Sequence, residues 1–378
     1  MSTALSPAAH SPAAHASAAH SPAVMDGGHI AFAEGAPCPT LVLNGAALPV
    51  GGEPLLDRLA GIRSGLSTAG RGLILKNALI QPSEHPLFDL DYRFVQSLPG
   101  GFDQFDLRGS CGHSILAAVD VAARAGMIPP LARGDRIRVN VLNNGDNVVC
   151  EVNEVSAERT RFTAHFLCNP PKPFADLLMV GEPVTEVAVG RLTVPVSLVS
   201  MGNPYLFVAA TDLEVGTRDE LFADDPALFD LMLRLRLAVC EQRGWSPGGA
   251  FPKVAALLPQ SFGTIAARAI SVPSWHPTLA LTGATCLAAA LGIEGTVPWR
   301  LLRSTGHQGG MVGIDTPGGQ VRVVAQVRGT ADRPELAWVS VGDKQVSYQG
   351  RVDLSGDAPL PPLTVPSSKE RVCPSLPA

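Results

Sequence analysis

The stretch Phe94–Pro130, FVQSLPGGFDQFDLRGSCGHSILAAVDVAARAGMIPP, runs from an apolar strand through a glycine turn and a short strand into an Ala-rich helix that ends at Gly126. The stretch Leu257–Pro298, LLPQSFGTIAARAISVPSWHPTLALTGATCLAAALGIEGTVP, repeats that order and ends its helix at Gly292. Each is followed by strand, turn and strand, and self-similarity on this scale points to duplication of one α/β unit. The segment ILAAVDVAARA is apolar nearly all round, the pattern of a helix enclosed by a sheet rather than resting on one. The expected fold is α+β, with two pseudo-symmetric halves, each a strongly curved sheet or open barrel wrapped around a central helix.

Working outward, RIRVNVLNNGDNVVCEVNEV (Arg136–Val155) reads as a hairpin with Asn144-Gly145 at its turn. GQVRVVAQVRG and ELAWVSVGDKQVSYQGRVDL read as strands. Helical patterns cover His113–Gly126, Leu228–Arg243 and Pro277–Gly292. The 378 residues suit about two domains, expected at 28–190 and 191–355 with the boundary near Val180–Ser200. Residues 1–27 repeat a Ser-Pro-Ala-Ala-His unit carrying His10, His15 and His20, and lack the charged start and apolar core of a secretory signal. This segment reads as a disordered tail, and 356–378 as a Pro-rich one.

A hydrophobic fraction of 46% against 17% charged residues is that of a globular chain, and the net charge of −5 argues against nucleic acid or acidic membranes as partners. No apolar run is long enough to span a bilayer. The seven cysteines form no CxxC pair, and an odd count suits a reducing cytoplasm better than a disulfide framework. No GxGxxG links a strand to a helix and no cysteine or histidine set has metal-ligand spacing, so neither cofactor nor metal is expected. The expected partner is a small-molecule substrate. A homodimer is compatible with the sequence and the oligomeric state stays open.

Cys111 sits between Ser110 and Gly112 where the first central helix opens. A helix N-terminus carries roughly half a positive charge in unsatisfied N–H groups, and a cysteine there has its pKa drawn down from about 8.5. Gly109 and Gly112 allow close approach of a ligand, and Ser110, His113 and Ser114 supply hydrogen bonds. From spacing alone the residue reads either as a catalytic thiol or as a small buried thiol at a helix start.

The segment Asp91–Ile128, DYRFVQSLPGGFDQFDLRGSCGHSILAAVDVAARAGMI, resembles the 2-methylaconitate isomerase (PrpF) family, which carries Gly-Asn-Cys-Gly-Asn after a strand beginning Asp-Tyr. MGNP (Met201–Pro204), SWHPTLALTGATCLAAALGIEGTV (Ser274–Val297) and STGHQGG (Ser304–Gly310) extend the likeness in order from about Ile30 to Leu354. The resemblance implies a diaminopimelate-epimerase-like fold and cofactor-independent isomerisation, with the cysteine and an upstream lysine as the acid/base pair. The matching lysine is Lys76. An ammonium and a thiolate across a dry cleft stabilise each other's charge, and one can take a proton from carbon while the other returns it.

The chain departs from the family at the loop that helps hold substrate carboxylates. EGAPCPT (Glu34–Thr40) stands where the family has Arg-Gly-Gly-Thr-Ser-Lys-Gly, and Ser110 and His113 replace the asparagines beside the cysteine. Because Arg and Lys are the usual grip on a multiply charged acid, a less highly charged substrate is expected. Arg71, Arg268 and Arg303 are candidate replacements, with Arg268 expected to approach the second helix start. His276 before Pro277, His307 in a glycine turn and Asn203 in GNP are candidate substrate contacts. The alternatives for these residues are a cap, a plain hairpin and an ordered turn. Cys286 reads as core, and Cys38 as incidental to the altered loop. Two competing functions remain: a natural-product cyclase or isomerase for a larger apolar polyene, and a non-catalytic binding protein on the same scaffold.

Overall fold

The apolar faces of a duplicated unit must be covered, and this chain covers them by closing each sheet around its own helix. The computed structural model describes Met25 and residues 27–354, apart from 99, 250, 272 and 273. The tails read at 1–27 and 356–378 lie outside the described residues, save Met25 and Gly27.

The first half contains β1 (Gly28–Ala33), β2 (Thr40–Asn44), α1 (Gly52–Thr68), β3 (Lys76–Pro82), β4 (Leu90–Ser97), β5 (Phe105–Asp106), α2 (Gly112–Arg124), β6 (Arg136–Val141), β7 (Asn147–Val155) and β8 (Arg159–Pro173). After α3 (Phe174–Leu177), the second half contains β9 (Thr185–Val189), β10 (Leu192–Met201), β11 (Asn203–Ala209), α4 (Arg218–Phe222), α5 (Pro226–Arg243), β12 (Lys253–Pro259), β13 (Thr264–Ser271), β14 (Ser274–Trp275), α6 (Leu281–Gly292), α7 (Val297–Ser304), β15 (Val312–Thr316), β16 (Gly319–Thr330) and β17 (Arg333–Val352).

The pairings repeat. Strand β3 lies parallel to β2 and antiparallel to β4, and β4 is parallel to β6. Likewise β12 lies parallel to β11 and antiparallel to β13, and β13 is parallel to β15. Thus β1–β8 of the first half correspond in order to β10–β17 of the second, and α2 corresponds to α6.

Each half also uses the other's last strand. The antiparallel ladder between β8 and β17 aligns Ala164 with Val341, and β17 continues to pair β1 from Gly28↔Val352 to Ala33↔Val346. The first ring is therefore closed as β1-β2-β3-β4-β6-β7-β8-β17. The second runs β10-β11-β12-β13-β15-β16-β17-β8 and is completed by a single bridge, Leu178↔Val199.

The central helices fill the rings. Gly112–Ala122 of α2 and Leu281–Leu291 of α6 are buried all round, as their unbroken apolar patterns require. Outside the first ring, α1 lays Leu55, Leu59, Ile62 and Leu66 on Leu41, Leu43 and Leu79. Its i, i+4, i+7 spacing is helical, but Gly61 and Gly65 dilute the pattern, and α1 was not among the expected helices. On the second ring α5 buries Leu228, Met232, Leu235 and Val239, each burial worth about 1.5–3 kcal/mol. The hairpin over Arg136–Val155 forms as expected. The helix expected from Pro277 instead begins at Leu281, because Ala280 is extended at φ −52°, ψ 145°.

Candidate active site

The N-termini of the two central helices meet. A Cβ added at Gly112, the first residue of α2, would lie 2.6 Å from Leu281 Cδ2 at the first residue of α6. Between them is a cavity of about 150 Å3. The first half lines it with Lys76, Gln96, Asp106, Ser110, Cys111 and His113, and the second with Asn203, Phe251, Lys253, His276 and Thr282.

Cys111 is the N-cap of α2, extended at φ −135°, ψ 103°, and keeps part of its surface open. Burial pushes its thiol up, but the Lys76 ammonium, the nearby Ser114 hydroxyl and N–H, and Lys253 more than offset this, so the thiol ionises below its ordinary range. Thr40 Oγ1 lies 2.9 Å from Ser114 Oγ and steadies that hydroxyl. The Tyr92 hydroxyl donates to the Cys111 carbonyl at 3.3 Å. Lys76, buried at the start of β3, is the strongest cationic influence on the sulfur.

Two histidines face the cavity in neutral form. Burial, and then Lys344, Lys76, His276 and Lys253, hold His113 well below the ordinary range; its buried Nε2 has no hydrogen-bond partner among the described residues. Burial, and then Lys253 and Lys76, do the same to His276. Because His276 Nδ1 accepts the Thr278 N–H at 3.2 Å, Nε2 carries the proton and is a donor. The residue is both a local cap and a cavity wall. Ser110 Oγ is a second buried atom with no partner among the described residues. Asn203 Nδ2 donates to Thr282 Oγ1 at 3.1 Å, fixing the other rim.

A family model described as PrpF protein matches residues 172–355. The 3-methylitaconate isomerase of Eubacterium barkeri is 25% identical over 297 residues, 68% of this chain and 77% of that protein. Over residues 172–355 the chain is similar to the PrpF family. The chain is an isomerase, as its relatives are named. Among solved structures, a methylitaconate-delta-isomerase superposes with a TM-score of 0.63 at 22% identity, covering 85% of this chain and 94% of that one. A probable proline racemase from Agrobacterium radiobacter K84 does so with 0.58 at 16%, covering 88% and 94%. These two show the fold, which is the epimerase-like one expected.

Of the residues singled out in the sequence, Cys111, Lys76, Ser110, Gly112, His113, Asn203 and His276 line the cavity, with Ser114 beside the sulfur. Two do not. Arg268 is on the opposite face of β13 from Ala267 and Ala269, which belong to the α6 core. It is stacked 4.3 Å from the Trp275 ring and paired with Asp224 at 2.5 Å, so its expected approach to the second helix start is corrected. His307 packs edge-on against Phe262, beside the β12–β13 hairpin. That turn lies at the far end of β12 from Lys253, roughly 20 Å away at the rise of a strand. Cys286 is core as expected, its sulfur accepting the Met201 N–H at 3.1 Å.

The altered loop reaches the site. Pro37 lines the cavity, and Cys38 abuts the Leu75–Lys76 backbone with its thiol pushed up by burial. The Thr278 hydroxyl of the second half donates to Gly35 O at 2.9 Å.

Sequence reasoning missed Lys253. It opens β12 as Lys76 opens β3, and AFPKVAALLP (Ala250–Pro259) matches LILKNALIQP (Leu73–Pro82) with the lysine in register. Extending the duplicated stretch one strand upstream is the signal that finds it.

Proposed function

We propose that this isomerase moves a proton along an unsaturated carboxylate by acid/base catalysis at Cys111 and Lys76, without a cofactor. The observation that carries the reading is that Cys111, its thiol drawn down by Lys76 and Ser114, opens onto the cavity that Lys76 also lines. The thiolate takes a proton from the carbon next to the double bond, and the C–H electron pair passes into a dienolate spread onto the carboxylate. The Lys76 ammonium returns a proton to the same or the vinylogous carbon. The S–H proton then passes to the lysine amine, restoring thiolate and ammonium.

The dienolate needs donors aimed at its oxygens. The helix N-terminal N–H groups and the neutral ring of His276 are preorganised for that task. The 3-methylitaconate isomerase among the relatives bears the name of an unsaturated acid, which supports a carboxylate as the activating group.

The test is deuterium uptake from D2O into 3-methylitaconate and a panel of unsaturated mono- and dicarboxylic acids, followed by NMR. Uptake into a panel member is expected in the wild type and in neither Cys111→Ala nor Lys76→Met. Exchange that survives in Cys111→Ala would overturn the assignment.

A further inference from the structure

The charges around the cavity leave one cation over. Lys76 and Lys253 both act on the one Cys111 sulfur, Lys76 the more strongly. Asp106 lies 3.4 Å from Arg108. Lys344, behind His113, has Glu34 and Asp343 beside it. Lys253 makes no ion pair among the described residues, although protein surrounds it on all sides except where its surface opens to the cavity. The two histidines are neutral and add no charge.

Lys253 is also held in place. Arg236 of α5, fully buried, donates to the carbonyls of Pro252 at 3.1 Å, Pro247 at 2.9 Å and Phe251 at 3.4 Å, and to Gly249. A guanidinium that clamps the segment leading into β12 fixes where the lysine enters the site. Burying a second ammonium beside a single thiolate is costly, and a fold that builds such a position gains it back only when an anion arrives.

Resting on the acid/base reading above, we infer that Lys253 receives the single carboxylate of the substrate, and that the substrate is an unsaturated monocarboxylate with an apolar remainder. One unmatched cation balances one carboxylate. A second carboxylate would meet no further surplus cation among the described lining residues. Phe94, Leu98, Phe251 and Leu281 supply the apolar surface for the rest of the molecule. Lys253 is thus a specificity-determining residue from the second half, whereas the proton-transferring pair comes from the first.

The test uses alkylating probes and needs no identified substrate. Alkylation of Cys111, mapped by peptide mass spectrometry, is timed with iodoacetamide, iodoacetate and bromosuccinate, which carry no, one and two negative charges. Each rate is divided by that reagent's rate with glutathione. The wild type should favour iodoacetate over iodoacetamide by about tenfold, the size of a close charge pair in a partly screened cavity. The preference should vanish in Lys253→Met and persist in Lys253→Arg, and bromosuccinate should show no gain over iodoacetate. A preference missing from the wild type, one unchanged in Lys253→Met, or one larger for bromosuccinate overturns the inference. Failure of the acid/base reading is seen separately, as wild-type iodoacetamide rates no faster than those of an ordinary thiol. Thermal melts of both lysine variants confirm that they are folded.

Discussion

Gly112 lies against Leu281 so closely that a methyl group on it would come within 2.6 to 3.0 Å of three Leu281 side-chain atoms. These residues open the two central helices, so their contact sets the width of the cavity. Gly112→Ala gains up to about 1 kcal/mol of helix propensity, but overpacking at a rigid contact costs about 1–3 kcal/mol. The clash wins: a lower Tm is expected, together with a larger fractional loss of turnover than of stability. A Tm equal to the wild type would show that the halves separate without penalty.

The pH dependence of Cys111 follows from its neighbours. A thiol drawn down by a nearby ammonium gains nucleophilicity as pH rises through a value below the ordinary 8.5 or so. In Lys76→Met the largest lowering influence is gone and burial still pushes up, so the midpoint of iodoacetamide reactivity must move to higher pH. Each unit of that movement lowers the rate near neutrality by roughly tenfold. A pH profile unchanged in Lys76→Met would separate the two groups.

Lys253 links stability to pH. Burial, opposed by Cys111 and reinforced by Lys76, lowers its pKa to about 8. The unfolded chain holds this proton up to about 10.4, so between those values it binds more protons than the native state. Wild-type stability therefore receives a contribution that rises with pH across that window. Lys253→Met lacks it and should be the more stable protein below pH 8, by about 1–3 kcal/mol, with the gap closing toward pH 10. Denaturant melts at three pH values measure it, and a gap that widens with pH would refute the reading.

Asp120 is a carboxylate inside the first ring, on α2. Arg124 Nε donates to it at 2.8 Å and Thr160 Oγ1 at 2.6 Å, so it is fully answered. Asp120→Ala leaves a buried hydroxyl unpartnered and frees a half-buried guanidinium, and should cost about 3 kcal/mol in denaturant unfolding. Asp120→Asn, which keeps an acceptor for Thr160, should recover part of that loss.

Much of this was legible in the sequence because it is local. The repeated order of strand, turn, strand and Ala-rich helix shows both rings, and glycines beside Cys111 mark a helix start. Lys76 became visible only through a family resemblance, since one lysine in an apolar run has no periodicity of its own. Arg268 was misplaced because its face depends on the register of β13: with Ala267 and Ala269 turned to α6, the residue between them must point away. The Glu34–Thr40 loop could be seen to have lost its cations, but not that β12 brings one back from the other half. That compensation exists only after some two hundred residues of intervening chain have folded.

The shared ladder between β8 and β17 carries a consequence for biosynthesis. Gly28 emerges more than three hundred residues before its partner Val352, so the first ring stays open on the ribosome until β17 has been made. Its apolar lining and the α2 surface are exposed during that interval, and contacts of such long span close slowly. Truncation before Arg333 would strip both rings of a stave at once, and neither product should persist in a cell as a soluble fragment.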